Sequence, residues 1–364
     1  MKLAIAVTTG DPFGVGPEVA LKAAREPAVL EVCRPLLIGD RQHLRGVALG
    51  LPGATVGDPA AWPEVSKSPF GWGSKQGDDI LVESWPSGPA IHDMADRPEP
   101  PSSPGPSAAG GRSSVMYVKQ AVGLVRSGAA AAVVTAPLSK EAMRLANVRY
   151  PGHTELLADL CGLEPDEVAM LFLTRELKVA LVTVHLGLKD AIASLSSALV
   201  ESKLRLIHSE HRRLFGGDPR IAVCALNPHA GEGGLFGAEE RDILRPAVEA
   251  ALGTGLNVAG PFPADTLFVR AARGEFDVVL ALYHDQATIA VKARSFGSGV
   301  NMTLGLPFVR TSVDHGTAYD IAGKGIADHG SMVEAILLAA RLAGGSPERG
   351  TPRGPGGSRP LRSS

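Results

Sequence analysis

The sequence predicts an α/β protein built on a parallel sheet with helices over both faces. Three observations carry that reading. Short apolar runs rich in β-branched residues recur, with helical stretches between them. Several of these runs end in polar or glycine-rich clusters. At 364 residues and 45% hydrophobic, the chain is long enough for two ordinary domains or one large α/β domain.

The elements follow in order. Residues 3–8 read as a buried strand and 10–16 as a turn, with Pro17 at a first helical position. Residues 18–25 continue as a helix and 35–39 as the next strand. The stretch 84–114 is dominated by Pro, Ser and Gly. It has too little apolar surface to hold a core, so an extended or mobile connection is expected. A helix is expected from about residue 115 to 126 and a strand over 131–135. Three further strands follow, over 179–184, 221–226 and 278–282. A helix covers 331–343, and the basic, apolar-poor residues 344–364 read as a disordered tail without a catalytic role.

Composition excludes several classes. Lys plus Arg (36) against Asp plus Glu (38) leaves a net charge of −2. That balance argues against a general nucleic-acid or membrane-surface binder, and 5% aromatics weakens any base-stacking role. Cys33, Cys161 and Cys224 are far apart, against a disulfide framework or a thiolate zinc site. No apolar run reaches the roughly 18 residues of a membrane span. The opening MKLAIAVTTGDP reads as a first strand rather than a signal peptide, so a cytoplasmic location is expected.

Candidate site residues gather at strand ends. In open α/β sheets ligands bind beyond the carboxyl ends of the strands. His185, His229 and His284 each stand within a few residues of such an end. Neutral imidazoles suit divalent ions such as Zn, Co or Ni, and three protein ligands leave a position open for substrate. With separations of 44 and 55 residues, no local ligand motif supports them; each alone reads as a cap or core residue before a ligand, and it is their common strand-end placement that raises the ligand reading. Around His229 the run Asn227-Pro228-His229-Ala230-Gly231-Glu232-Gly233-Gly234 offers close backbone approach and a carboxylate beside the ring.

His153 and Thr154 open a helix after Pro151-Gly152. Free N–H groups there suit an anion, with plain N-capping by Thr154 as the alternative. Lys292, Asn301 and Arg310 lie in a glycine-dense stretch, and the two cations suit a phosphate or carboxylate. Asp265 and Asp285 are candidates for proton transfer or for supporting a ligand. The loop Gly10–Gly16 lacks the Lys-Ser/Thr of a phosphate loop, and Val19 occupies the third glycine of the dinucleotide fingerprint, so both assignments are rejected.

Eight segments together resemble the 4-hydroxythreonine-4-phosphate dehydrogenase family of pyridoxine biosynthesis. They are TTGDPFGVGPEV (8–19), VTAPLSKEAM (134–143), YPGHTELLA (150–158), VALVTVHLGLKDA (179–191), ALNPHAGEGGLFGAEE (225–240), GPFPADTLF (260–268), LALYHDQATIAVK (280–292) and GVNMTLGLPFVRTSVDHGTAYDIAG (299–323). The resemblance implies a two-domain isocitrate/isopropylmalate-dehydrogenase-like fold with mixed, mostly parallel sheets and the active site in the interdomain cleft. The expected division is 1–135 with 305–345, including the Pro/Ser-rich stretch near 85–105, against 136–304, with a tail over 346–364.

It further implies a homodimer whose active sites are built from both subunits. Metal ligands are implied at His185, His229 and His284, and substrate contacts at His153, Thr154, Lys292, Asn301 and Arg310. The implied reaction is oxidation of 4-phosphooxy-L-threonine by NAD or NADP with one divalent ion (Zn, Mg or Co), followed by decarboxylation to 3-amino-2-oxopropyl phosphate. Asp265, Asp285 and Lys292 are the candidates for moving the proton; the nicotinamide-binding residues are not identified.

The chain departs from the family pattern in two places. Ser139-Lys140 stands where many members carry His-Lys, and Gly-Asp-Pro-Phe where Gly-Glu-Pro-Ala is common. These departures keep sister substrates in view: threonate or erythronate 4-phosphate, or a cyclic diol carboxylate. A metallohydrolase using the histidines to activate water, and a catalytically silent binding protein, are the alternatives from other classes.

Overall fold

The computed structural model describes residues 2–51, 57–65, 88–295 and 299–345. The chain forms two compact units, one of Met1–Leu163 with Leu306–Gly344, the other built on Glu164–Gly305.

In the first unit five parallel strands run in the order β3-β2-β1-β4-β11: Ala90–Asp93 (β3), Cys33–Gly39 (β2), Leu3–Thr8 (β1), Ala132–Thr135 (β4) and Val309–Val313 (β11). They are almost continuously buried because both faces are covered. The covering helices are α1 (Gly16–Ala24), α2 (Pro27–Val32), α3 (Arg41–Gly50), α4 (Ala108–Arg126) and α12 (Gly330–Ala343). The short α5 (Lys140–Leu145) and α6 (His153–Cys161) pack against α4.

That packing places the division after Leu163, whereas the sequence reading put it after 135. Gly111 of α4 is the local reason. A Cβ there would run into the Ala142 carbonyl, so only glycine lets α5 lie this close.

The Pro/Ser-rich stretch is more ordered than its composition predicts. Residues 90–93 join the sheet beside β2, and α4 starts at Ala108 rather than near 115, with Ser107 Oγ accepting from Gly110 N at 3.0 Å. Polar tethers hold the connection where apolar burial cannot. Asp96 accepts from Ser113 Oγ at 2.5 Å and from Tyr117 Oη at 2.9 Å, while Arg97 N donates to Asp40 Oδ2 at 2.9 Å. Residues 84–87 of that stretch and the tail expected over 346–364 lie outside the described residues.

In the second unit the strand order is β10-β5-β6-β9-β7-β8. The strands are Ala169–Leu173 (β5), Lys178–Leu181 (β6), Ile221–Cys224 (β7), Val258–Phe262 (β8), Val278–Ala281 (β9) and Val300–Leu304 (β10). Strand β5 is antiparallel to both β6 and β10; the other pairs are parallel. Helices α7 (Leu188–Ala193), α8 (Ser197–Phe215), α9 (Arg245–Gly253), α10 (Ala264–Ala272) and α11 (His284–Ser295) connect them. Buried Met170, Phe172, Leu181, Leu267 and Val279 belong to one core cluster of this unit. Among the described residues no helix is long and apolar enough to cross a membrane.

Candidate active site

Parallel pairing brings two of the three histidines together. The register of β6 on β9 sets Leu181 opposite Ala281. It continues past both strands through Val182 N to Ala281 O at 2.9 Å and Thr183 Oγ1 to Leu282 O at 2.7 Å. His185 and His284 therefore emerge side by side, with ring centroids 5.8 Å apart and planes tilted by 38°. With Leu186, Leu188, Tyr283 and Asp285 they line an open recess.

Gln286, which the sequence reading did not single out, braces these strand ends. Its Oε1 accepts from Leu282 N and its Nε2 donates to Ala225 O, both at 2.8 Å. No sequence signal marks that role, because its partners are backbone atoms 4 and 61 positions away.

Asp285 sits 2.7 Å from Nδ1 of His284. A carboxylate on one ring nitrogen fixes the tautomer and leaves the other nitrogen's lone pair for a cation. Glu232 stands similarly to Nδ1 of His229, at 3.2 Å. In chemical kind, then, the donors fit a divalent cation.

In placement the expected three-histidine centre is not assembled within one chain. Among the described residues no three His, Cys, Asp or Glu side chains are grouped to hold a metal ion. His229 lies at the end of β7, beside β9, but its loop takes a left-handed turn and leaves the ring 67% exposed near Phe236.

The remaining predicted residues of this unit are dispersed. Asp265 is exposed in the first turn of α10. Lys292 is exposed on α11, eight residues beyond His284, a rise of about 12 Å along the helix. Asn301 lies on β10 opposite Phe172, with a buried Oδ1 that has no hydrogen-bond partner.

The first unit holds a cluster of cations. Arg310, on β11, is only 1% exposed, and its Nη2 donates to Thr135 Oγ1 at 2.6 Å. Burial lowers its guanidinium to about 9, which still leaves it charged at neutral pH. His153 opens α6, and its buried Nε2 has no hydrogen-bond partner. Burial first, and then the charges of Arg310 and Lys140, hold its imidazole well below the usual range, so it is neutral at pH 7.

Lys140 opens α5, and burial lowers it while Glu155 opposes the shift. The two helix starts lie close together: a Cβ on Gly152 would stand in ordinary contact with Lys140 Cε, at 3.6 Å. The N-cap of α6 is Gly152, so the capping alternative for Thr154 does not hold; that residue is buried in the first turn.

Buried Asp11 and half-buried Tyr319 form a further pair that sequence reasoning missed. Tyr319 Oη donates to Asp11 Oδ2 at 2.7 Å, and burial raises the Asp11 carboxyl. Gly10, at φ +70°, makes that turn possible, since a Cβ would strike the Pro137 carbonyl.

Two cations whose charges both reach the neutral imidazole at a helix start can hold a dianion such as a phosphate ester. The recess lined by His185 and the carboxylate-backed His284 can take a cation.

The family model described as pyridoxal phosphate biosynthetic protein PdxA matches residues 31–339. The chain is 43% identical over 345 residues to a D-threonate 4-phosphate dehydrogenase of Cupriavidus necator, covering 93% of this chain and 97% of the relative. It is 44% identical over 346 residues to a 4-hydroxythreonine-4-phosphate dehydrogenase of Trichlorobacter lovleyi, again covering 93% and 97%. The crystal structure of 4-hydroxythreonine-4-phosphate dehydrogenase from Klebsiella pneumoniae superposes with a TM-score of 0.78 at 38% identity, covering 94% of this chain and 98% of that one.

Proposed function

The chain belongs to the PdxA family of oxidoreductases, and from that premise we propose that it oxidises the C3 hydroxyl of 4-phosphooxy-L-threonine, with NAD or NADP as hydride acceptor. The product, 2-amino-3-oxo-4-phosphooxybutanoate, loses CO2 to give 3-amino-2-oxopropyl phosphate. The observation that carries the reading is the cluster of buried Arg310, more exposed Lys140 and the start of α6 around a neutral His153. That charge pattern is costly without an anion and suits a terminal phosphate.

In this reading Arg310 and Lys140 hold the phosphate, while Thr154 and the first N–H groups of α6 orient it. Asn301 Oδ1 accepts a donor from the substrate. His185 and His284 would hold one divalent ion (Zn, Mg or Co), with His229 completing the set in a homodimer. When bound, such an ion lowers the pKa of the reacting hydroxyl and stabilises the alkoxide that forms. Asp285 keeps His284 in the tautomer it needs. Asp265 and Lys292 are the groups left to move the proton.

Exposed apolar side chains flank the histidines and support a shared site. Leu186 is 51% exposed, Leu188 56%, Leu235 74% and Phe236 46%. Apolar surface of that extent beside the ligands favours a second copy as its cover.

D-threonate 4-phosphate is the second reading, favoured by the relative of that name at nearly equal identity. The two substrates share the phosphate and the hydroxyl and differ at C2, where one carries an ammonium and the other a hydroxyl. Purified protein with NAD+ and each phosphate in turn, followed by absorbance of the reduced cofactor, decides between them. Faster turnover of D-threonate 4-phosphate would move the assignment to that acid. Phosphate release without nicotinamide would overturn both in favour of a hydrolase.

A further inference from the structure

The loop that carries His229 is wound the wrong way for L-residues. His229, Ala230, Gly231, Glu232 and Gly233 have φ of 52°, 55°, 80°, 44° and 67°. Three of them are not glycine, and in this region Cβ crowds the following carbonyl oxygen. Such a segment persists only where its surroundings over-determine it.

Glu240 supplies the restraint. It is 3% exposed. Its Oε1 accepts from Leu226 N at 2.8 Å and Asn227 N at 2.7 Å, at the point where the chain leaves β7. Its Oε2 accepts from Asn227 Nδ2 at 2.9 Å. That amide also donates to Glu239 Oε2 at 2.7 Å.

The middle of the loop closes on the same carboxylate, since a Cβ on Gly231 would stand 2.8 Å from Glu240 Oε2. Glu240 opens a π-helical turn, Glu240–Leu244, running into α9. Turns of that kind are frequent at functional sites. One buried carboxylate thus grips the loop at its entry and lies against its centre.

We propose that Glu240 is a positioning residue that fixes the left-handed path of residues 229–233 and thereby the direction of the His229 imidazole. Glu240 itself touches neither cation nor substrate. Its functional consequence rests on His229 being a cation ligand, whereas the clamp on the backbone does not.

The test compares Glu240→Ala, Glu240→Gln and His229→Ala in the full chain. Amide hydrogen exchange over residues 226–237 and the affinity of the metal-free protein for Co2+ are measured on each. Glu240→Ala is expected to speed exchange in that segment at least tenfold, leave β1 and α4 protected, and weaken Co2+ at least tenfold. Glu240→Gln keeps an oxygen for the two backbone N–H groups and is expected to stay within threefold of wild type in both readouts. If the alanine variant does not fold, Glu240→Asp, whose shorter side chain falls short of both N–H groups, replaces it with the same expectations.

Unchanged exchange over 226–237 overturns the clamp. Faster exchange with wild-type Co2+ affinity, while His229→Ala loses Co2+, overturns the positioning role. Wild-type Co2+ affinity in His229→Ala as well defeats the ligand reading instead and leaves the clamp standing.

Discussion

Replacing Arg310 by methionine is expected to make the ligand-free protein more stable and to abolish its grip on phosphate. The guanidinium is 1% exposed and displaced from 12.5 to about 9 with all its partners in place. The folded state as a whole therefore disfavours the charge, by roughly 3–5 kcal/mol at 1.36 kcal/mol per pKa unit. Methionine is unbranched and apolar and fills most of the same space. Against the relief stand the lost contacts of the guanidinium, the bond to Thr135 among them at about 1 kcal/mol, and the void it leaves, about 1–2 kcal/mol. The net expectation is a gain of about 1–2 kcal/mol.

Thermal unfolding with and without a saturating phosphate substrate reads both halves. At 100 times Kd the ligand adds about 2.7 kcal/mol to wild type. The variant is expected to melt higher alone and to gain almost nothing from the ligand. A variant that melts well below wild type without ligand would make Arg310 a structural cation. One that keeps its protection by phosphate would remove the residue from the anion site.

Three further outcomes are expected. His153 has a lower pKa folded than unfolded, so below about pH 6.5 only the unfolded chain takes up its proton and stability falls with falling pH; phosphate bound beside Arg310 and Lys140 is expected to raise that pKa, and an imidazole NMR titration indifferent to phosphate would count against the cluster. Asp285→Asn is expected to weaken Co2+ about 10–100-fold through His284 while shifting stability by no more than about 0.5 kcal/mol, because the side chain is 73% exposed; metal titration and a melt check the two halves. Glu18→Ala is expected to cost about 3–5 kcal/mol in urea unfolding, since the 1% exposed carboxylate accepts from Lys22 at 2.7 Å, Ala327 N at 2.9 Å and Gly325 N at 3.2 Å; a midpoint close to wild type would show that the Lys22 contacts to Gly325 and Ala327 carbonyls suffice.

Local sequence alone determined β1, β2, β4, β6, β7 and β9 and the helices α1, α4, α6 and α12, because period, β-branching and proline or glycine punctuation act over a few residues. Residues 3–8, read from their apolar run, form β1 over the same span. Strand-end placement of His185, His229 and His284 was legible for the same reason. Composition misled where polar bonds replace apolar burial, as at Asp96 and Arg97, which order a proline-rich connection. The antiparallel β5 escaped notice because direction is a property of pairs of strands. Only tertiary structure decided that Leu181 pairs with Ala281, which sets His185 beside His284, and that a carboxylate at Glu240 winds the His229 loop to the left. It alone decided that Arg310 is buried beside Thr135, with its charge acting on His153. Each of these joins residues that are separate in the chain, and register, burial and charge coupling between such residues exist only once the backbone has closed.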